Sequence, residues 1–288
     1  MIDKSKVFLI VGLGLMGGSY AKSLKLQGYH VMAIARRQET IDYALANDII
    51  DEGSITVTKE MVERADVVVF GLYPTVLLEW LDKYQDYFKK GAIITDVTGV
   101  KTCLVYDVQK KLRGDVEFIA AHPMCGREVY GVENSTEKMF IGANYIVVPT
   151  DENTNEAIEF CKEIGATLGC GNITVLSPSE HDEMIGFVSQ LTHVIAVTLM
   201  TCSDNTHLVE YTGDSFRDLT RIARINDAMW SELFDLNKEA LLAQMDTFMD
   251  EFKLFRNMLE QGDIEGMREK MRLSTSRRAL FDKKPKNN

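Results

Sequence analysis

Two histidines and an arginine, far apart in the chain, are the side chains best suited to acid-base and anion chemistry. His122 stands in Ala121-His122-Pro123, directly after an apolar stretch, and so at the carboxyl edge of a strand, where α/β sheets keep their ligands. An imidazole placed there takes a proton near neutral pH. His193 follows Gly186, Ser189 and Gln190 at helical spacing, a small and polar stripe on an apolar helix that would face a cavity. Taken alone, such a histidine reads as a hydrogen-bonded core residue. Arg217, Arg221 and Arg224 recur at i, i+4 and i+7, one face of a helix if the segment is helical, and alone they read as a solvated basic face. Cys125 lies three residues after His122, but nothing nearby supplies the third group that a Cys-His nucleophile requires.

These side chains need a scaffold, and the stretch Val7 to Ser19, VFLIVGLGLMGGS, defines it. An apolar strand, Val7 to Val11, runs into Gly12, Gly14 and Gly17 in GxGxxG spacing, and a helical pattern follows from Tyr20 to Gln27. In such a unit the first glycine makes the turn, the second admits a pyrophosphate to the backbone, and the third lets helix and strand pack; the helix N-terminus offers N–H groups to the phosphates. Leu15 and Met16 belong to the same loop. Lys4 and Lys6 before an apolar run also resemble the start of a signal peptide, but four glycines between Gly12 and Gly18 make a poor apolar helix. After the second strand, His30 to Ile34, an NAD site carries an acid for the ribose hydroxyl; here Ala35-Arg36-Arg37 offers two guanidinium groups, which suit the 2′-phosphate of NADP. The α/β alternation continues with strands at Val67 to Phe70, Ala92 to Thr95 and Val116 to Ala121 and helices at Pro74 to Phe88 and Thr102 to Leu112. Gly71-Leu72-Tyr73, Asp96 to Gly99 and Ala121 to Pro123 would crowd one sheet edge.

Beyond Ser177-Pro178-Ser179-Glu180, a capping box with proline in the first turn, the pattern turns helical: one helix toward Thr201, a long amphipathic stretch from about Ser231 to Glu260 and another from Ile264 to Leu280. The apolar stripe of Met245, Phe248, Met249, Phe252 and Phe255 suits a core or subunit interface, and the polar end, Lys283 to Asn288, suits disorder. A boundary near Ser177 gives a dinucleotide-binding domain, 1–177, and an all-α domain, 178–288. With 288 residues the chain is long enough for two domains. A net charge of -11 argues against nucleic acid, and no uninterrupted apolar run approaches the roughly 20 residues of a membrane helix. Five scattered cysteines without CxxC spacing suggest neither disulfides nor a metal site, and fit a reducing, cytoplasmic home.

GLGLMGGS, DVTGVK (Asp96 to Lys101), HPMCGRE (His122 to Glu128), SQLTH (Ser189 to His193) and DLTRIARINDAMW (Asp218 to Trp230), in that order, resemble the prephenate/arogenate dehydrogenases of tyrosine biosynthesis. The resemblance runs from about Val7 to about Leu280. It implies a Rossmann-type nucleotide-binding domain, a helical domain that forms a homodimer, and oxidation of prephenate or arogenate at the ring C4 hydroxyl with loss of carbon dioxide. It further implies that His122 is the base, that Arg221 grips a substrate carboxylate, and that His193, Gln190 and Trp230 line the substrate pocket, with NADP, or NAD, as cofactor. The chain departs from the family pattern in places. Gly99 stands where many members have a serine that holds the ring hydroxyl, leaving Thr98 as the substitute. Tyr73 replaces a small residue beside the nicotinamide, and Gln190 and Thr192 replace a commoner histidine and proline. Two other readings compete: another NADP-dependent oxidoreductase with a helical dimer domain, such as the β-hydroxyacid dehydrogenases or pyrroline-carboxylate reductases, and a non-catalytic NADP-binding sensor. The usual active-site lysine of the hydroxyacid enzymes is missing, and retention of both His122 and Arg221 argues for catalysis.

Overall fold

The computed structural model describes residues 2–281; the tail Lys283 to Asn288 lies outside them. Strand β1 (Val7–Val11) runs through the glycine turn into α1 (Leu15–Leu26), which opens directly after Gly14 and so starts earlier than the apolar pattern indicates. There follow β2 (His30–Ile34), α2 (Gln38–Ala46), β3 (Glu52–Ser54), α3 (Lys59–Arg64), β4 (Val67–Phe70), α4 (Pro74–Tyr84), β5 (Ile93–Asp96), α5 (Thr102–Lys111) and β6 (Glu117–Phe118). The six strands form a parallel sheet in the order β3-β2-β1-β4-β5-β6. Its central strands are apolar on both faces because helices cover both. Alternation sends Phe8 and Ile10 with Val31 and Ala33 into one layer, and Leu9 and Val11 with Met32 and Ile34 into the other. The chain reverses its direction of winding between β1 and β4, which opens a crevice at the carboxyl ends of those strands.

The single strand expected from Val116 to Ala121 is two. Ile119 N–H donates to the Ile94 carbonyl at 2.9 Å, the last backbone-to-backbone bond to the parallel sheet. The next residue begins β7 (Ala120–Met124), which pairs antiparallel with β8 (Asn144–Val148). After α6 (Asn155–Thr167), β9 (Asn172–Val175) joins β8 to complete a second sheet, β7-β8-β9. His122 therefore lies inside a strand and not beyond the end of one.

The expected capping box opens α7 (Pro178–Ile185): Ser177 Oγ accepts the Glu180 N–H, and the Glu180 carboxylate accepts the Ser177 N–H at 2.9 Å. The helix continues through a π-helical segment, Gly186–Leu191, into α8 (Thr192–Thr201). By length and composition alone, the run Pro178–Thr201 is long and apolar enough to cross a membrane, a length that the uninterrupted apolar stretches of the sequence do not reach. It nonetheless buries three polar side chains, His181, Asp182 and Gln190, all hydrogen-bonded within the protein. Next come α9 (Asp214–Thr220), a 3-10 turn, Arg221–Ala223, and α10 (Asp227–Leu236).

Residues up to Lys238 form one compact unit and those from Glu239 another. The amphipathic stretch expected from Ser231 to Glu260 is interrupted at Asn237, whose side-chain amide donates to the Asp182 carbonyl (2.9 Å) and to Gln190 Oε1 (2.7 Å). The second unit holds α11 (Lys238–Gln261) and α12 (Ile264–Ala279), joined by a turn in which Gly262 takes a positive φ and Asp263 caps α12 through the Gly266 N–H. Lys270 reaches across to Glu251 at 2.5 Å, while Phe248, Phe252, Phe255 and Leu259 of α11 present an exposed apolar stripe.

Candidate active site

The glycine turn is shaped for a dinucleotide. Gly12 takes a φ of +98°, and a Cβ there would lie 2.6 Å from the Gly71 carbonyl; a Cβ at Gly17 would lie 2.0 Å from that of Gly12. Those two glycines close the turn against β4 and α1. At Gly14 a Cβ would meet nothing within 4 Å, so the backbone is open to an approaching phosphate. No side chain caps α1 at Gly14, which leaves the first N–H groups of the helix, from Leu15 and Met16 onward, for an anion. Beyond β2, Arg36 and Arg37 are exposed, and their guanidinium groups make no hydrogen bond or ion pair among the described residues. Tyr73, partly exposed just before α4, accepts a hydrogen bond on its hydroxyl from Asn226 Nδ2 at 3.4 Å. Beside it, Glu232 Oε1 of α10 accepts both the N–H (3.1 Å) and the hydroxyl (2.7 Å) of Thr75, tying α10 to the start of α4.

The second half of the candidate site is a series of hydrogen-bonded, titratable side chains. His122 Nδ1 lies 2.9 Å from His181 Nε2, and His181 Nδ1 lies 2.8 Å from Asp182 Oδ1. The direction of this series follows from its end. A carboxylate only accepts, so His181 holds its proton on Nδ1 and presents a bare Nε2; His122 must then donate from Nδ1, which leaves its own Nε2 as a free acceptor. That acceptor faces Gly99, where a Cβ would lie 3.9 Å from it. Burial, reinforced by the neighbouring His181 and by the Lys101 ammonium, pushes the His122 pKa well below the usual imidazole value. Burial likewise lowers His181, against the opposing Asp182 carboxylate. Asp182 is itself buried, but hydrogen bonds from His181 and from the Thr102 backbone hold its carboxyl below the ordinary range. Sequence patterning assigned no role to His181 or Asp182. His181 and Asp182 lie within a polar run, Ser179 to Glu183, at the start of α7, so no pattern singled them out.

A contiguous series of contacts leads from His122 to the helical side. Gly99 lies between His122 and Leu233 of α10, with a Cβ position 3.7 Å from Leu233 Cδ1. One turn earlier on α10, Trp230 stacks on His193, ring centroids 3.7 Å apart. His193 Nδ1 donates to the Ser189 carbonyl at 2.8 Å, leaving Nε2 as acceptor in the neutral ring, which burial favours. The charges of Glu128 and Arg221 also reach His193, and these two pair with each other at 2.6 Å. Arg221 follows the last turn of α9, which ends at Thr220, so Arg217, Arg221 and Arg224 do not share one helical face.

Two expected site residues are engaged elsewhere. The Thr98 hydroxyl contacts the Asp96 carboxylate, lies 3.0 Å from the Val100 carbonyl and accepts from Lys101 Nζ at 3.1 Å, so its proton stays inside the protein. Gln190 spends both ends of its amide on the framework, donating to the Leu233 carbonyl (3.0 Å) and accepting from Asn237 (2.7 Å). The stripe of Gly186, Ser189, Gln190 and His193 was read on α-helical spacing, and the π-helical segment shifts that phase. Cys125 is no nucleophile, since burial pushes its thiol up to about 12.

Known proteins resemble this chain along most of its length. Residues 20–180 match the nucleotide-binding domain of prephenate dehydrogenase, and residues 177–273 match its dimerization domain. The chain is 28% identical to the prephenate dehydrogenase of Bacillus subtilis over 93% of its own length and 74% of that protein's. It is 30% identical to the Lactococcus lactis prephenate dehydrogenase, covering 86% of this chain and 71% of that one. The crystal structure of prephenate dehydrogenase from A. aeolicus with hydroxyphenyl propionate and NAD+ superposes with a TM-score of 0.88 at 29% identity, over 98% of this chain and 100% of that one. The glycine cradle, the histidine series and both domain matches lead to one conclusion: the chain belongs to the prephenate dehydrogenase family.

Proposed function

We propose that this protein oxidatively decarboxylates prephenate or arogenate with hydride transfer to a nicotinamide dinucleotide, giving 4-hydroxyphenylpyruvate or tyrosine and carbon dioxide. The observation that carries the reading is the free Nε2 of His122, fixed as an acceptor by the Asp182-His181 pair behind it. When bound, the dinucleotide supplies the acceptor for the hydride leaving the ring C4. His122 takes the C4 hydroxyl proton as that hydride departs, and returns it to the oxygen once loss of the ring carboxylate as carbon dioxide has delivered its electron pair and made the ring aromatic. The growing imidazolium is stabilised through Nδ1–H by His181 and, behind it, the Asp182 carboxylate. Gly99 puts no hydroxyl beside Nε2, and Thr98 turns inward, so the substrate hydroxyl meets the imidazole without a side-chain partner from this turn. Arg221, on exchanging Glu128 for a substrate carboxylate, orients the ring, with the His193-Trp230 stack beside it.

The cradle around Gly12, Gly14 and Gly17 would hold the pyrophosphate of the dinucleotide, and unengaged Arg36 and Arg37 favour NADP through its 2′-phosphate. Tyr73 borders the nicotinamide side. The exposed apolar stripe of α11 belongs to the matched dimerization domain and supports a homodimer, and five free cysteines fit a cytoplasmic enzyme. A reduced-nicotinamide absorbance assay crossing prephenate and arogenate with NAD and NADP tests the whole reading. Turnover of at least one pairing, fastest with NADP, is the expected result; no turnover in any of the four would refute it.

A further inference from the structure

Behind His122 lies an ion pair for which the chemistry above has no use. Asp96 and Lys101 are both fully buried, with Lys101 Nζ 2.6 Å from Asp96 Oδ2. The ammonium also donates to Thr98 Oγ1 (3.1 Å) and to the Ala121 carbonyl (2.8 Å), so each of its three protons has an acceptor. Asp96 in turn accepts the Ala121 N–H on Oδ1 (3.1 Å) and the Thr98 N–H on Oδ2 (3.0 Å). One side-chain pair thus holds both backbone groups of the residue directly before His122. The main chain at Lys101 grips the other end of the histidine series: Lys101 N–H donates to Asp182 Oδ1 (2.8 Å), and Thr102 N–H to Oδ2 (2.7 Å).

Taking two charges out of water is costly, and well-packed apolar groups often serve a fold as well. The placement of this pair points to a use beyond packing. We propose that Asp96 and Lys101 are positioning residues for the His122 base: together they fix the peptide from which the imidazole projects, and they turn the cationic end of the pair toward the ring. The proposal rests on the reading of His122 as the base. Charged and titratable groups reach His122 from three directions: His181 of α7 with Asp182 behind it, Lys101 ahead of α5, and Asp96 at the end of β5 behind the lysine. Burial and His181 disfavour the imidazolium, and the Lys101 charge adds to both. The ammonium thereby helps to keep His122 neutral at pH values where a free imidazole would already carry a proton.

The test is NMR titration of His122 in histidine-labelled enzyme, together with the pH profile of kcat/KM, for the parent, Lys101→Met, Lys101→Arg and the double variant Asp96→Asn/Lys101→Met. The double variant leaves no orphaned charge, and it decides the matter if Lys101→Met alone fails to fold. Removal of the ammonium should move the His122 midpoint, and the acid limb of the profile with it, upward by about one unit, and should lower kcat about tenfold or more. Lys101→Arg should keep the midpoint near that of the parent yet still lose kcat, because a guanidinium fork does not reproduce the three ammonium contacts. An unchanged midpoint in both charge-removing variants, or a parental kcat in the double variant, would overturn the proposal. Failure of the base reading would look different: His122→Asn would then turn over normally whatever the titration showed.

Discussion

The two halves of the site are built by different means. The dinucleotide cradle is made of backbone: Gly12 and Gly17 close a turn that no side chain could occupy, Gly14 leaves an opening, and the end of α1 supplies the donors. The half proposed to move the proton is made of side chains from separate elements, with His122 on β7, His181 and Asp182 on α7, and Asp96 and Lys101 at the two ends of the turn after β5. The first kind of site forms wherever its local sequence folds. The second exists only once two sheets and a helix have docked, so it is sensitive to changes that leave the local chain intact.

Four experiments press on that contrast. The largest effect falls on the side-chain half, where His122→Asn should cost roughly 10²- to 10⁴-fold in kcat with the KM for the dinucleotide little changed; steady-state kinetics at saturating cofactor measures it. Next is the backbone half. Gly17→Ala puts a methyl group where 2.0 Å separates it from a carbonyl oxygen, and should weaken dinucleotide binding by about 10²-fold while leaving substrate-independent titration of His122 unaltered; cofactor titration by fluorescence reads it. If Gly17→Ala instead damaged kcat alone, the division into halves would be wrong. Replacing Arg36 and Arg37 together with alanine should raise the KM for NADP by about tenfold, the value of one charge-assisted hydrogen bond, and leave NAD unaffected, a comparison made within one assay.

The smallest effect is on stability. His122, His181 and His193 all have folded-state pKa values below the ordinary imidazole value. The unfolded chain therefore binds protons that the folded chain refuses, and stability is present above the unfolded histidine value of about 6.5 and lost as pH falls through it. Thermal melts from pH 7.5 to 5.5 should show the midpoint falling, with each 1 kcal/mol lost worth about 2 to 4 °C. His181→Gln should flatten that slope. Glu52, held down to about 2 chiefly by its hydrogen bonds with Arg64, acts only at lower pH and does not confuse the window.

The same contrast explains what could be read from the chain before folding. The strand, glycine turn and helix at Val7 to Leu26 were legible because each property is carried by residues adjacent in sequence. The capping box at Ser177 was legible for the same reason. His122 could be placed at the sheet edge, but not on its strand, because the break between β6 and β7 is made by hydrogen bonds that Ile119 and Ala121 donate to Ile94 and Asp96, remote in the chain. Thr98 looked available to substrate and is not, since its hydroxyl is engaged by a lysine three residues on that no periodicity marks as buried. Gln190 was expected to face the pocket, and the residue that occupies it, Asn237, is in a segment read as continuous helix.

The π-helical turn at Gly186–Leu191 has a mechanical meaning. His181 and His193 are twelve residues apart, which on an unbroken α-helix sets them about a third of a turn out of phase. The wider turn takes up roughly one residue, about 100° of rotation, and so swings the two imidazoles into near alignment along one side. Deleting a single residue from that turn would leave the two histidines about eleven residues apart on ordinary winding and still in line, whereas tightening the turn at unchanged length would rotate His193 and all of α8 by about 100°. For this stretch, the winding of six residues sets the aim of the downstream half of the pocket as firmly as their identities do.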